Sequence, residues 1–148
     1  MRIPEEGIEM LAKRPLFAGL SRKELESVAA LGVTLEFSAG QELAKEGAIG
    51  LEAFLIVSGE ARVTVGEGIG VGTLGPGDHF GEISLLDGGR RGATVVAVTD
   101  MVVTVFERRE FLRLIETSPS IAVRLMEAMG ARLRFVEAEL ERRTNGQG

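Results

Sequence analysis

One short stretch of the chain, FGEISLLDGGRRGATVVA at residues 80–97, combines a carboxylate, paired arginines and several glycines. Arg91 could form two parallel, charge-assisted hydrogen bonds to a phosphate, each contributing about 1.5 to 3 kcal/mol. Glu82 would repel a phosphate, but an ionised carboxylate readily accepts a hydrogen bond from a sugar hydroxyl. These residue types therefore fit a ligand that carries both groups. They also fit a simple ion pair between Glu82 and Arg91 across a loop.

The residues around these two side chains predict a tight turn followed by one turn of helix. Residues 75–78, Gly-Pro-Gly-Asp, are typical of a turn, and the apolar run ISLL after Glu82 predicts a short helix. The start of such a helix favours an anion, because its unpaired N–H groups and the positive end of its dipole face outward. Small residues follow Arg91 and would let a ligand approach the backbone: Gly92, Ala93 and Thr94.

Catalysis is disfavoured by the residues available for it. His79 is the single histidine, which we expect in a loop, and the chain has no cysteine, so neither a multi-histidine metal centre nor a thiolate zinc site can be assembled. The glycines at 70, 72 and 75 satisfy the spacing G-x-G-x-x-G, but they lead into Pro76 rather than into a helix, which disfavours a dinucleotide site. We expect no enzyme, no catalytic residues, no metal and no cofactor.

Composition indicates one globular domain. The chain has 148 residues, 45% of them hydrophobic and 26% charged, with a formal net charge of -5. This acidic balance disfavours direct nucleic-acid binding, which usually needs a basic surface. No apolar run approaches the roughly 20 residues of a membrane helix, and the start MRIPEEGIEM lacks the apolar run of a signal peptide. The expected location is cytoplasmic, without a membrane.

The pattern along the chain changes twice. Residues 1–31 predict helices, with a capping box formed by Ser21 and Glu24. Residues 32–107 carry short apolar runs separated by glycines about every 8 to 12 residues, which predicts a β sandwich or barrel. Residues 108–148 predict a short helix, a long helix that Ser118 caps and Pro119 begins, and a polar tail, RRTNGQG. The fold class is therefore mainly β with flanking helices.

The stretch at residues 80–97 resembles the phosphate-binding cassette of cyclic nucleotide-binding domains, the family of the sensor domains of catabolite activator protein and of cAMP-dependent protein kinase regulatory subunits. The Phe-Gly-Glu triplet, the apolar turn, the arginine and the Ala-Thr pair occur in the family's order. The similarity also includes GQELAKEGAIGLEAFLIVSGEARV and LGPGDHFGE. It implies an eight-stranded jelly-roll β barrel (a double-stranded β-helix) with N-terminal helices and a long C-terminal helix.

The resemblance also implies roles for individual residues. Glu82 would bind the ribose 2'-hydroxyl beside the Gly81 backbone, and Arg91 would bind the cyclic phosphate together with the Ala93 N–H. The remaining ligand-binding residues would be the helix start, Ile83, Ser84 and Leu85, with Gly92 and Thr94. Family members with a hydroxyl after the arginine often prefer cGMP, so Gly92 favours cAMP, with cGMP the less favoured ligand. Arg90 would be a solvated loop residue.

The long helix departs from the family pattern for base recognition, since it carries Val136 and Glu137 where relatives offer hydroxyls. The candidate base contacts are Val71, Phe80, Arg132 and Val136. The long helix could also pair with the same helix of a second chain. Because Ala128 and Arg132 interrupt its apolar pattern, a long coiled coil is not expected.

These features predict a stand-alone cyclic nucleotide-binding regulatory domain, a cAMP sensor whose C-terminal helices change position when the ligand binds. The sequence ends at Gly148 without a helix-turn-helix segment, so we expect either a domain that acts through an unknown downstream protein rather than on DNA, or a fragment of a longer protein. The alternative is a protein-interaction module of the same fold that binds no nucleotide, in which Glu82 and Arg91 pair with each other.

Overall fold

The computed structural model describes residues 5–14 and 16–146, apart from the side chains of residues 5, 6 and 83. The helices are α1 (Glu5–Ala12), α2 (Arg22–Ala29), α3 (Glu82–Asp87), α4 (Arg108–Thr117) and α5 (Pro119–Asn145). The strands are β1 (Val33–Phe37), β2 (Glu42–Ala44), β3 (Glu52–Ser58), β4 (Ala61–Val65), β5 (Ile69–Leu74), β6 (His79–Phe80), β7 (Thr94–Ala97) and β8 (Met101–Glu107). Residues 1–4 of the predicted helical segment and residues 147–148 of the predicted tail lie outside the described residues.

The strands of the described ranges form two antiparallel sheets of four. One sheet has the order β1-β8-β3-β6 and the other the order β2-β7-β4-β5. This arrangement confirms the predicted jelly-roll fold. The ladders found among the described residues do not join the two sheets into one closed barrel, so the fold is a sandwich of the jelly-roll type.

The central strands β3 and β8 are buried on both faces. Successive side chains of a strand point to opposite sides, so each of these strands contributes to two cores. Phe54 and Ile56 of β3 lie between the two sheets, in one core with Val103 and Val105 of β8. Leu55 points the other way, into a second core that the helices form. The second core also contains these residues: Leu11, Val28, Ala53, Leu85, Phe106, Phe111, Ile121 and Leu125. The continuous apolar runs of β3 and β8 reflect this double burial.

The capping box predicted for α2 is confirmed. The Ser21 hydroxyl accepts a hydrogen bond from the Glu24 backbone N–H at 3.2 Å, and the Glu24 carboxylate accepts one from the Ser21 backbone N–H at 2.8 Å. At the start of α5, Pro119 occupies the first turn as predicted, but the Ser118 side chain makes no capping hydrogen bond. Glu24 instead ties α2 to the side chains of the first turns of α5, since its carboxylate accepts from the Ser120 hydroxyl at 2.7 Å and lies 3.0 Å from Arg124 Nε.

Helix α5 is 27 residues long and continues to Asn145, past the predicted start of the polar tail. Arg142 and Arg143 lie in its last turn, where positive charge stabilises the negative end of the helix dipole. Only the beginning of α5, Ile121 and Leu125, is buried. The later apolar side chains are exposed: Met126, Met129, Leu133, Phe135, Val136 and Leu140. Neither α5 nor any other helix of the described residues is long and apolar enough to span a membrane.

Candidate functional site

The stretch singled out in the sequence folds as β6, the helix α3, a loop and the strand β7. Gly81 precedes α3 with a φ of 84° and Gly88 follows it with a φ of 63°, both in the left-handed region that glycine adopts easily. Two such residues confine α3 to six residues and turn the chain sharply at each end. The short helix predicted from ISLL is therefore confirmed.

A second segment, residues 47–50, holds the loop that carries Arg91. The Gly47 N–H donates to the Arg91 carbonyl at 2.9 Å, and the Arg91 N–H donates to the Ala48 carbonyl at 2.8 Å. The Gly50 N–H donates to the Gly89 carbonyl at 2.9 Å. The backbone position of Arg91 is thus determined by residues about forty positions earlier. Sequence reasoning missed this segment, whose signal was the pair of glycines in KEGAIG.

The Arg91 guanidinium is oriented by three neighbours, two on β3 and one on α3. Its Nη2 donates to the Glu52 carbonyl at 2.8 Å and its Nη1 to the Ser84 hydroxyl at 3.4 Å. Its central carbon lies 5.5 Å from the centroid of the Phe54 ring, within cation–π distance. Burial lowers the pKa of Arg91 and the charge of Glu52 opposes this effect. A guanidinium stays protonated in proteins, so a half-buried positive charge lies at this point.

Two glycines make room for this guanidinium. A Cβ on Gly50 would lie 2.5 Å from the Ser84 hydroxyl oxygen and 3.0 Å from two atoms of the Arg91 guanidinium. A Cβ on Gly81 would lie 2.5 Å from Arg91 Nη1 and 2.7 Å from the Glu52 carbonyl oxygen. In contrast, a Cβ on Gly92 would meet no described atom within 4 Å. The site is therefore tight behind the guanidinium and open beside Gly92.

Glu82 pairs with His79, which is part of β6 and not the loop residue that we expected. His79 Nδ1 lies 2.7 Å from Glu82 Oε2, and each side chain is 24% exposed. Burial raises the pKa of Glu82, but the hydrogen bonds from His79 and from its own backbone N–H, with the electrostatic effects of His79 and Arg14, lower it by more, so the net pKa lies below the ordinary value. Glu82 is therefore ionised at neutral pH. The described contacts of Glu82 and Arg91 do not include an ion pair between them.

Glu82 and Arg91 line one cavity of about 470 Å³ between the cassette and the second sheet. Its volume lies in the range of about 300 to 1,000 Å³ typical of small-molecule sites. The predicted residues that line it are Phe80, Gly81, Glu82, Ser84, Arg91, Gly92 and Ala93. His79, Asp87, Gly89 and Arg90 also contribute to the lining, as do apolar residues of β2, β4, β5 and β7.

Of the remaining predicted ligand-binding residues, Leu85 and Thr94 are not among those that line this cavity. Leu85 is buried in the helical core, and the Ile83 side chain lies outside the described part of the chain. The Thr94 hydroxyl accepts a hydrogen bond from the Glu46 backbone N–H at 3.0 Å and so stabilises the segment beside the loop. Arg90 is exposed, as predicted, but it is bound: its Nη1 donates to the Gly47 carbonyl at 2.8 Å.

Of the four candidate base contacts, the structure brings only Phe80 to the cavity, where its ring stacks on Phe54 with centroids 4.5 Å apart. Val71 lies on β5 with its side chain exposed, outside the lining. Val136 is exposed on α5, and Arg132 lines a different groove, together with Phe135 and residues 18–19. Arg132 and Val136 lie outside the cavity because α5 is anchored by the burial of its first two turns, and its later turns extend away from the cavity.

The fold and the cavity define a jelly-roll ligand-binding domain in which the Glu82 carboxylate and the Arg91 guanidinium line the same cavity. A family model described as "cyclic nucleotide-binding domain" matches residues 34–118, more than half of the chain. The chain belongs to the cyclic nucleotide-binding domain family, as the resemblance of its cassette predicted.

Several relatives support this assignment. The chain is 34% identical over 131 residues to the cyclic AMP receptor protein of Thermus thermophilus, and this covers 86% of the chain and 61% of that protein. It is 35% identical over 107 residues to the cAMP-dependent protein kinase regulatory subunit of Schizosaccharomyces pombe, covering 72% of the chain and 26% of that subunit. The chain thus spans less than two thirds of these relatives.

A solved structure matches most of the chain. It is the N-terminal domain of a transcriptional regulator from Streptomyces coelicolor, which superposes with a TM-score of 0.79 at 26% identity. The match covers 86% of the chain and 94% of that domain. The helices and sheets of the matched residues are therefore arranged as in that N-terminal domain.

Proposed function

We propose that the chain is a regulatory domain that binds cAMP in the cavity of the cassette and passes the binding signal to its C-terminal helices. The observation that carries the proposal is the geometry of Arg91 and Glu82. The two charged side chains face one cavity, and each is held by other neighbours, Arg91 by Glu52 and Ser84 and Glu82 by His79. Opposite charges that share a cavity without pairing are arranged for a third partner.

A cyclic nucleotide supplies groups that complement both charges. Its phosphate is an anion for the Arg91 guanidinium, and its ribose 2'-hydroxyl is a donor for the ionised Glu82. Gly81 and Gly92 bring backbone close to the ligand, and the Ala93 N–H is the proposed second phosphate donor. Ser84 keeps the guanidinium oriented from α3, and Thr94 stabilises the end of the loop.

The proposal favours cAMP over cGMP. Residue 92 carries no hydroxyl that could bind a guanine, and the space beside it is open. One of the two relatives reported above is named a cyclic AMP receptor protein, and the other a regulatory subunit of a cAMP-dependent protein kinase. Phe80, stacked on Phe54, offers an aromatic edge of the cavity to the purine.

The signal would pass from α3 to α4 and α5. Arg108, the first residue of α4, donates from Nη2 to the Leu86 carbonyl of α3 at 3.2 Å. Leu85 of α3 packs in one core with Phe111 of α4 and Ile121 of α5. A ligand that draws α3 toward the cavity would therefore favour one arrangement of these helices over another, through its different affinity for the two.

The exposed stripe on α5 supports a homodimer as the second part of the proposal. Residues 126, 129, 133, 136 and 140 are apolar and exposed, and they follow the alternating spacing of three and four that pairs helices. The stripe continues the side of the helix on which Leu125 is buried, since Met129 lies four residues after Leu125, but its own side chains are exposed. The same helix of a second chain would cover it.

The test is calorimetric titration of cAMP into wild type, Arg91→Ala and Arg62→Ala. Arg62 is an exposed arginine of β4 and serves as the matched control. Loss of two charge-assisted hydrogen bonds predicts a Kd at least about 100-fold higher for Arg91→Ala and little change for Arg62→Ala. Equal affinity of Arg91→Ala and wild type would contradict the phosphate assignment.

The same titration tests the alternative function. A module that binds partners through this fold but no nucleotide would give no heat with cAMP or cGMP, and neither nucleotide would raise its melting temperature. The separate partners of Glu82 and Arg91 favour the nucleotide-binding function, since the alternative expects these two side chains to pair with each other.

A further inference from the structure

His79 is in direct contact with the carboxylate of Glu82. His79 lies three residues before Glu82. Strand β6 pairs with β3 through Leu55 and His79, and His79 lines the cavity. Gly81, in the left-handed conformation, turns the chain back between them. As a result His79 Nδ1 and Glu82 Oε2 lie 2.7 Å apart, a strong hydrogen bond.

We propose that His79 is a positioning residue that sets the orientation of Glu82 and thereby the discrimination between ribose and 2'-deoxyribose ligands. This inference rests on the proposed function. The imidazole N–H occupies Oε2, so Oε1 is the oxygen directed to an incoming 2'-hydroxyl. A glutamate without this partner rotates about several bonds, and binding would then have to immobilise it.

The charges around the pair are consistent with this role. Arg14 acts on Glu82 electrostatically from the loop after α1, and Asp87, Arg90 and Arg91 line the same cavity. Hydrogen bonds from His79 and from the backbone N–H of Glu82, with the electrostatic effects of His79 and Arg14, lower the pKa of Glu82, and an ionised carboxylate only accepts hydrogen bonds. The ligand group that it selects is therefore a donor, which 2'-deoxy-cAMP lacks.

The experiment compares cAMP with 2'-deoxy-cAMP on wild type, His79→Ala, His79→Asn and Glu82→Gln by calorimetry. Asparagine has an amide nitrogen at the same distance from the backbone as Nδ1, so it retains the donor to Oε2 without an imidazole. We expect His79→Ala to weaken cAMP binding about 3- to 10-fold and 2'-deoxy-cAMP binding less than about twofold. His79→Asn should restore cAMP binding to within about threefold of wild type. Glu82→Gln should lose most of the preference for cAMP.

The outcomes separate this inference from the function on which it rests. Equal weakening of both nucleotides by His79→Ala would mean that His79 only supports β6, and it would overturn the inference while cAMP binding stands. A wild type that binds neither nucleotide would overturn both. If His79→Ala does not fold, His79→Asn and Glu82→Gln still decide: discrimination must persist in the first and fall in the second.

Discussion

Replacing Gly50 with alanine tests whether the guanidinium of Arg91 must lie where the structure places it. The added Cβ would lie 2.5 Å from the Ser84 hydroxyl oxygen, about 0.9 Å closer than ordinary contact, and 3.0 Å from two guanidinium atoms. Gly50 does not have a positive φ, so the alanine adds no backbone strain of that kind. The substitution thus acts on the two side chains behind the proposed phosphate position.

The magnitude follows from which atoms can move. The crowded atoms are the ends of side chains, so the protein can relieve the contact by shifting the guanidinium, at a stability cost of about 1 kcal/mol, the low end for overpacking. A shift of this size misaligns at least one of two charge-assisted hydrogen bonds to a phosphate, each contributing about 1.5 to 3 kcal/mol. The Kd for cAMP should therefore rise about 10- to 100-fold while the fold persists.

The assay is titration calorimetry with cAMP, combined with thermal melting in the absence of nucleotide. Gly70→Ala is the matched control, because Gly70 is exposed on β5 and a Cβ there would meet nothing within 4 Å. Wild-type affinity in a folded Gly50→Ala protein would refute the argument, since it would show that the guanidinium need not occupy this position. A loss of binding in Gly70→Ala would refute it equally.

Two further predictions concern the helices. Glu24→Gln should lower the free energy of unfolding at neutral pH, because hydrogen bonds from the Ser21 backbone and the Ser120 hydroxyl lower the pKa of Glu24 and favour its ionised form. The deficit should shrink as the pH falls from about 7 to about 3 in urea denaturation, since wild-type Glu24 is then protonated, and a constant deficit would contradict this. Met129→Glu combined with Leu133→Glu should sediment as a monomer where wild type sediments as a dimer. The exposed control Glu141→Lys should remain dimeric, and a monomeric wild type would remove the dimer from the proposal.

Local sequence signals predicted most of the elements correctly. The capping box of Ser21 and Glu24, the turn of helix after Gly81 and the proline at the start of α5 are short-range features that the local chain specifies. The end of α5 was misplaced, because the arginines of the expected tail stabilise the last helical turn instead of breaking it.

Side-chain partners were harder to predict than elements. The sequence left open a pair of Glu82 with Arg91, but the structure joins Glu82 to His79 and Arg91 to Glu52 and Ser84. The spacing along the chain cannot decide this. The partner of a charged group depends on which strand lies beside it, and that is a property of the sheet.

The sequence by itself determined the mainly β class and the position of the cassette, because these depend on local patterns of apolar alternation and glycine turns. The order of the cassette residues carried the resemblance that implied the family and its jelly-roll fold. Only the tertiary structure decided that residues 47–50 hold the Arg91 loop, that Gly50 leaves room for the guanidinium and that α5 leaves the cavity open. Each of these depends on contacts between residues far apart in the chain. Such contacts follow from how the sheets and helices pack, and no local pattern records them.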